Sequence, residues 1–330
     1  MADVELVEVL RGDRVECVHR GHAVVVDGTG RVVESWGDPA FVTYPRSSAK
    51  MIQALPLVES GAADAAGLKT EHLALACASH HTAPRHVALV EGWMEAQGFT
   101  DSDYRCGPHL PLGEAHRHEM IREGVTPCRH HNQCSGKHSG FLTLNRRLGA
   151  GAEYCEIDHP VQTAVRDAWE GACGEPVSGW GIDGCSAPNF ATSLEGAARA
   201  MAAFATAGGR SDARARAMVR LHEAMRLHPE LVSDDGTTCT ELMRATGGKL
   251  AIKGGADGFY VAIWPERGLG VALKISDGAE RAKGVAIAAL LRRLGALPDT
   301  PEIAARFIEP VQRNYAGLET GVIRPASALG

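Results

Sequence analysis

The chain has 330 residues, enough for one large domain or two of ordinary size. Apolar residues make up 45% and charged residues 22%, a globular balance that excludes intrinsic disorder. A net charge of −6 without a long basic stretch excludes a dedicated nucleic-acid binder, and the longest apolar run, 285–291, is far short of the roughly 20 residues needed to cross a bilayer.

The first predicted elements are strands. Residues 4–10 alternate loosely, and 22–26 and 32–36 flank Asp27-Gly28-Thr29-Gly30, a hairpin-type turn. Pro45, Ser47 and the apolar Met51, Ile52, Leu55 and Leu57 predict a helix starting near Ser47. Helical periodicity then marks about 83–97, 135–148, 160–169, 191–207 and 212–227, with a short strand over 177–182. Short apolar segments at 249–253, 259–264 and 269–275 return to sheet, and an amphipathic helix over 279–294 closes the unit. Strands early and late with helices between predict an α+β fold, in which both chain termini build one antiparallel sheet interrupted by a helical insertion lobe. The expected organisation is a single unit, residues 1–330, with a sheet lobe about 1–60 and 249–330 and a mainly helical lobe about 61–248.

Ten of the 15 histidines fall between His72 and His138, and seven of the nine cysteines between Cys77 and Cys185, which invites a metal or thiol reading. The odd cysteine count and the absence of a basic, then apolar, leader favour free thiols in a cytoplasmic setting. No Cys-x-x-Cys occurs, so any metal site must be assembled from distant parts of the chain.

Three constellations carry candidate chemistry. Ser47-Ser48-Ala49-Lys50 places a lysine three residues after a serine, so on a helix the amine reaches the hydroxyl and, if burial keeps it neutral, removes its proton. Ser79, in Cys77-Ala78-Ser79-His80, and Lys253-Gly254-Gly255 follow in the order in which serine enzymes of the Ser-x-x-Lys type present a second serine and a lysine on an edge strand. The third comprises His131–His138, with Cys134 at a helix start and Lys137 and His138 one turn on, together with Asp183 and Cys185 alternating along an extended segment. Two thiolates, a nitrogen and an open position suit zinc; a buried thiol beside an ordinary capped helix is the competing reading.

Pro-Arg-Ser-Ser-Ala-Lys (45–50), Ala-Cys-Ala-Ser-His (76–80), Asn-Gln-Cys-Ser-Gly-Lys-His (132–138), Gly-Ile-Asp-Gly-Cys-Ser-Ala-Pro (181–188) and Lys-Gly-Gly-Ala-Asp-Gly (253–258) together resemble the Rhizobium etli-type L-asparaginases, the asparaginase II family. The resemblance covers essentially the whole chain. It implies a fold similar to serine β-lactamases and glutaminases, and hydrolysis of L-asparagine to L-aspartate and ammonia through two Ser–Lys tandems. On it, Ser47 looks like the nucleophile and Lys50 its base, while Ser79 and Lys253 form a second tandem that relays protons and keeps Lys50 neutral. It also implies zinc at Cys134, Lys137 and Cys185 with water, in a positioning or structural role. Asp183 is expected to bind the substrate's α-ammonium, with Arg46, His138, Gly254 and Gly255 lining the pocket. A cytoplasmic homodimer acting on a small molecule, with no nucleic-acid or membrane partner, completes the expectation. The alternatives are a glutaminase or another β-lactamase-like serine amidohydrolase, and a catalytically silent zinc- or amino-acid-binding protein. One segment departs from the family pattern: His80-His81-Thr82-Ala83-Pro84 stands where relatives carry His, a small residue and Gly-Glu. The remaining histidines, including His80-His81 and His130-His131, read as loop and helix residues without assigned roles.

Overall fold

The computed structural model describes residues 2–330; Met1, with which the expected single unit begins, lies outside them. The first strands are β1 (Val4–Arg11), β2 (Arg14–Val26), β3 (Val32–Trp36) and the two-residue β4 (Val42–Thr43). The middle of the chain adds β5 (Trp180–Ile182), β6 (Pro188–Phe190) and β7 (Thr192–Ser193), and the last part adds β8 (Ala251–Gly254), β9 (Phe259–Trp264), β10 (Leu269–Ile275), β11 (Val311–Arg313) and β12 (Glu319–Pro325). The main sheet is antiparallel with order β11-β12-β1-β2-β10-β9-β8, and β3 also pairs with β2. Early and late segments thus share one sheet, as the α+β reading expects.

Two parts of that sheet carry no readable alternation. Residues 14–20 of β2 are mostly exposed, so no apolar face announces them, yet they pair with β1 across the Gly12-Asp13 turn. The helix Glu280–Arg293 does not close the unit. The chain returns as β11 and β12, with Val7 opposite Pro325 and Val9 opposite Ile323. Only one residue of β12 is fully buried, which hides it from a periodicity argument.

The central strands read as continuous apolar runs for the opposite reason: β9 is buried at all six positions. Helix Leu194–Ala205 packs on β2, β9 and β10, while helix Glu280–Arg293 packs on β1, β9, β10 and β12, so the sheet is covered on both faces. Side-chain caps set several helix starts. Ser193 accepts from the Gly196 N–H, and Asp212 accepts from the Ala215 N–H to begin the helix Ala213–Leu227. The predicted helix at Ser47 is instead a 3₁₀ turn, Arg46–Ala49, leading into a short helix, Lys50–Gln53; a separate helix, Leu55–Glu59, begins around Pro56. No helix among the described residues is long and apolar enough to cross a membrane.

Candidate active site

A cavity of about 720 Å³ opens where four segments meet the sheet edge: the Arg46–Ala49 turn, the loop after helix Thr70–Ala76, the start of helix Ser135–Leu148, and the β5–β6 hairpin. It is lined by Arg46, Ser47, Ser79, Cys134, Asp183, Cys185, Lys253, Gly254 and Gly255 among others, so most of the sequence-predicted residues share one space. Lys50, Lys137 and His138 lie behind the wall, each buried.

The Ser47 turn is positioned by backbone. Arg46 adopts φ +55, a left-handed conformation that side-chain-bearing residues rarely take. Its guanidinium is held by Asp183 Oδ1 at 2.9 Å and by Asp257. Gly255 lets the end of β8 approach from below: a Cβ there would lie 2.4 Å from the Pro45 carbonyl oxygen and 2.8 Å from Ser48 Oγ. Ser48 Oγ in turn donates to the Lys253 carbonyl at 3.1 Å, tying the turn to the strand.

The two lysines meet at one hydroxyl. Lys50 Nζ donates to Ser79 Oγ at 2.9 Å, to Cys134 Sγ at 3.2 Å and to the Ala78 carbonyl. Lys253 Nζ donates to Ser79 Oγ at 3.1 Å and to the Gly254 carbonyl at 2.8 Å. The expected Ser79–Lys253 pair is therefore formed. The expected Ser47–Lys50 hydrogen bond is not: Lys50 begins its helix after the 3₁₀ turn, its amine runs inward to Ser79, and Ser47 Oγ faces the cavity without a hydrogen bond from the described residues. Ser79 itself is clamped, its N–H donating to the Val232 carbonyl at 3.0 Å. Burial pulls the Lys253 amine down to about 8; Cys239 opposes this and Lys50 adds to it.

The thiol side is equally convergent. Lys137 Nζ lies 2.8 Å from Cys185 Sγ, and Cys185 is hydrogen-bonded to Cys134. That hydrogen bond, with Lys137 alongside, holds the Cys185 thiol far below its ordinary range, and it raises Cys134 in return. Burial lowers Lys137, but the Cys185 and Cys134 charges outweigh it and leave the amine raised. His138 is oriented by Tyr154 (Nδ1 to OH 2.9 Å), and its buried Nε2 has no hydrogen-bond partner. Burial lowers the His138 pKa, opposed by the neighbouring Cys185. Two sulfurs, a nearby amine and an orphaned imidazole nitrogen form a donor set that fits zinc, provided that Lys137 loses its proton. A Cβ on Gly136 would sit 2.3 Å from the Leu75 carbonyl oxygen, so this helix start is pressed against helix Thr70–Ala76, which leads to Ser79.

Asp183 and Cys185 come together differently from the extended-segment expectation. They occupy the tip of the β5–β6 hairpin, where the Asp183 N–H donates to the Ala187 carbonyl and the Ser186 N–H to that of Asp183. Asp183 Oδ1 also accepts from the Gly184 N–H at 2.8 Å.

Sequence reasoning missed the rest of the wall. Tyr260 of β9, Cys239 and Lys283 face the cavity; Lys283 Nζ donates to the Gly255 carbonyl at 2.7 Å and lies 5.6 Å from the Tyr260 ring centroid. A lysine just ahead of the apolar run of the amphipathic helix Glu280–Arg293 was the available signal for Lys283. In the divergent loop, His80 is buried on Ser135 Oγ at 2.8 Å, His81 reaches the cavity, and Thr82 has φ +66.

The family model for L-asparaginase II matches residues 7–325. The chain belongs to the L-asparaginase II family. It is accordingly an amidohydrolase acting on a small molecule. A search of the curated proteins finds no match. Among solved structures, a protein assigned as a β-lactamase from Bacteroides dorei is similar with TM-score 0.40 and 13% identity, over 77% of this chain and 84% of that one. Mglu in its native form gives TM-score 0.39 and 13% identity, over 89% and 69% of the two chains. A β-lactamase from Mycobacterium bovis gives TM-score 0.37 and 13% identity, over 83% and 94%.

Proposed function

We propose that this member of the L-asparaginase II family hydrolyses L-asparagine to L-aspartate and ammonia through an acyl-enzyme on Ser47. The observation that carries the reading is the convergence of two buried lysines on Ser79, beside an exposed-facing Ser47, in one cavity. Ser47 Oγ attacks the side-chain amide carbon, and its proton passes to the Lys50 amine, which hands one on through Ser79 to the neutral amine of Lys253. Lys253 then returns that proton through Ser79 to the departing nitrogen. Ammonia leaves; water then hydrolyses the ester by the same relay in reverse. Backbone N–H groups, that of Ser47 included, stabilise the oxyanion.

Asp183 takes the α-ammonium, using the carboxylate oxygen that Arg46 leaves free, and Arg46 faces the α-carboxylate. Gly254 and Gly255 shape the remaining wall, with His138 behind it. Cys134, Lys137 and Cys185 would hold zinc, with His138 Nε2 alongside; the ion would supply fixed positive charge that orders the pocket.

The test is ammonia release from asparagine and glutamine by wild type and by Ser47→Ala, with mass analysis of a trapped acyl adduct. Loss of turnover with the fold retained, and an adduct on the Ser47 peptide, are expected. Full activity in Ser47→Ala, or an adduct on Ser79, refutes the assignment. One methylene in a pocket discriminates by about 1–3 kcal/mol, so a glutamine kcat/KM above that for asparagine favours a glutaminase.

A further inference from the structure

The histidine- and cysteine-rich middle third is not used up by the cavity. The 3₁₀ turns Asp101–Asp103 and Arg129–His131 pack together, and there a carboxylate oxygen of Asp101, Cys128 Sγ and a ring nitrogen of His130 all lie within 4.8 Å of one another. All three residues are partly buried, and they offer three different donor types.

Each donor is held from behind. Asp101 Oδ1 accepts the Arg129 backbone N–H at 2.6 Å. Cys128 Sγ lies 3.1 Å from His131 Nδ1. His130 Nδ1 is 3.5 Å from a Glu91 carboxylate oxygen, while its Nε2 is buried with no hydrogen-bond partner. A carboxylate facing one ring nitrogen selects the tautomer that leaves a bare lone pair on the other, which is how metal-bound imidazoles are oriented. A buried acceptor without a donor is an unfavourable arrangement that a cation would relieve.

We propose that Asp101, Cys128 and His130 form a divalent-metal site of zinc type, separate from Cys134, Lys137 and Cys185, with an open fourth position for water. Thiolate, imidazole and carboxylate together suit zinc better than a hard cation such as calcium. Bonds of 2.0–2.3 Å to a tetrahedral ion keep ligand atoms roughly 3.3–3.8 Å apart, so small side-chain rotations from the observed spacing suffice. On binding, Cys128 gives up its thiol proton to solvent, and thiolate plus carboxylate balance the dication. The facing cation is Arg129, whose guanidinium lies 3.7 Å from Asp101 Oδ2, donates to the Asp101 carbonyl at 3.2 Å and is 38% exposed, so that it turns to solvent when the ion enters by giving up that one bond. The turn Arg129–His131 runs directly into Asn132, whose Oδ1 accepts the Cys134 N–H at 2.8 Å. An ion there braces the segment that delivers Cys134 and Lys137.

The experiment titrates metal-free protein with Zn²⁺ alone and counts bound ions by native mass spectrometry. Wild type is expected to bind two, His130→Ala one, Cys134→Ser/Cys185→Ser one, and the triple variant none. Glu91→Gln, at a side chain 53% exposed, is expected to keep both ions but to bind one of them about tenfold more weakly. Circular dichroism of the metal-free variants confirms folding. A wild-type count in His130→Ala, an unchanged affinity in Glu91→Gln, or a wild type whose single ion is lost with Cys134 and Cys185 overturns the proposal. Failure of the Cys134/Cys185 reading is distinguishable, because that double variant would then keep the full wild-type count.

Discussion

Lys253 offers the most quantitative prediction. The residue is 2% exposed, and burial holds its amine at about 8. Only the neutral amine accepts a proton, so at pH 7 roughly 10% of molecules carry a competent base and at pH 9 roughly 90%. A lysine in water, near 10.4, would be only ~0.04% neutral at pH 7, so burial raises the working fraction roughly 200-fold. The kcat/KM for ammonia release should therefore climb about tenfold per pH unit up to about pH 8, and flatten above about pH 9. Lys253→Met keeps the length and apolar stem but removes the amine. It should abolish this limb and lower the plateau by about 10²–10⁴-fold. The linked stability effect has a fixed sign. The folded state binds this proton more weakly than the unfolded chain, so the penalty of burying the charge is fully present below about pH 8. Stability rises with pH between about 8 and about 10.4, by roughly 3 kcal/mol, in wild type but not in Lys253→Met. The assays are a coupled ammonia measurement over pH 6–10 at constant ionic strength and chemical denaturation at matched pH. A profile flat from pH 6 to 9, or a limb near 8 that persists in Lys253→Met, refutes the reasoning.

Cys185→Ala leaves the buried Lys137 ammonium without its 2.8 Å partner, and should cost about 3–5 kcal/mol in urea denaturation of the metal-free protein. Loss below 1 kcal/mol would show that the pair carries no charge. Gly255→Ala places a methyl 2.4 Å from the Pro45 carbonyl oxygen, so it should displace the Ser47 turn, destabilise by about 1–3 kcal/mol and reduce kcat more than it changes KM. Wild-type kinetics with a lowered melting temperature would show that the turn is not held by this contact.

Much of the framework was legible locally. The helix over 135–148 was predicted with the boundaries it has, Asp212 opens the helix predicted over 212–227, and buried strands declare themselves as apolar runs, whereas the helix predicted from 191 begins only after the Ser193 cap. These features depend on neighbours within one or two turns. The Ser47–Lys50 spacing was legible in the same way, but it predicts only which residues share a face, and Lys50 chose a partner 29 residues away. The link from Lys253 to Ser79 spans 174 residues, which no periodicity records; only the order of motifs hinted at it. Tyr260 and Lys283 were missed because a strand residue and a helix residue facing a cavity look, in sequence, like those facing the core. Strand β12 was missed because its half-buried edge position leaves no apolar stripe.

The sheet order also sets a timetable for making the protein. Strand β2 finds β1 within a few residues, but its partner on the other side, β10, begins roughly 240 residues later. At about 5–20 residues per second, a ribosome needs some ~10–50 s to deliver it, and until then an apolar strand edge stays open. Lys253 arrives in that same late stretch. The hydroxyl of Ser79 is synthesised early and remains without its second amine until the sheet closes, so chemistry and folding are completed in one event.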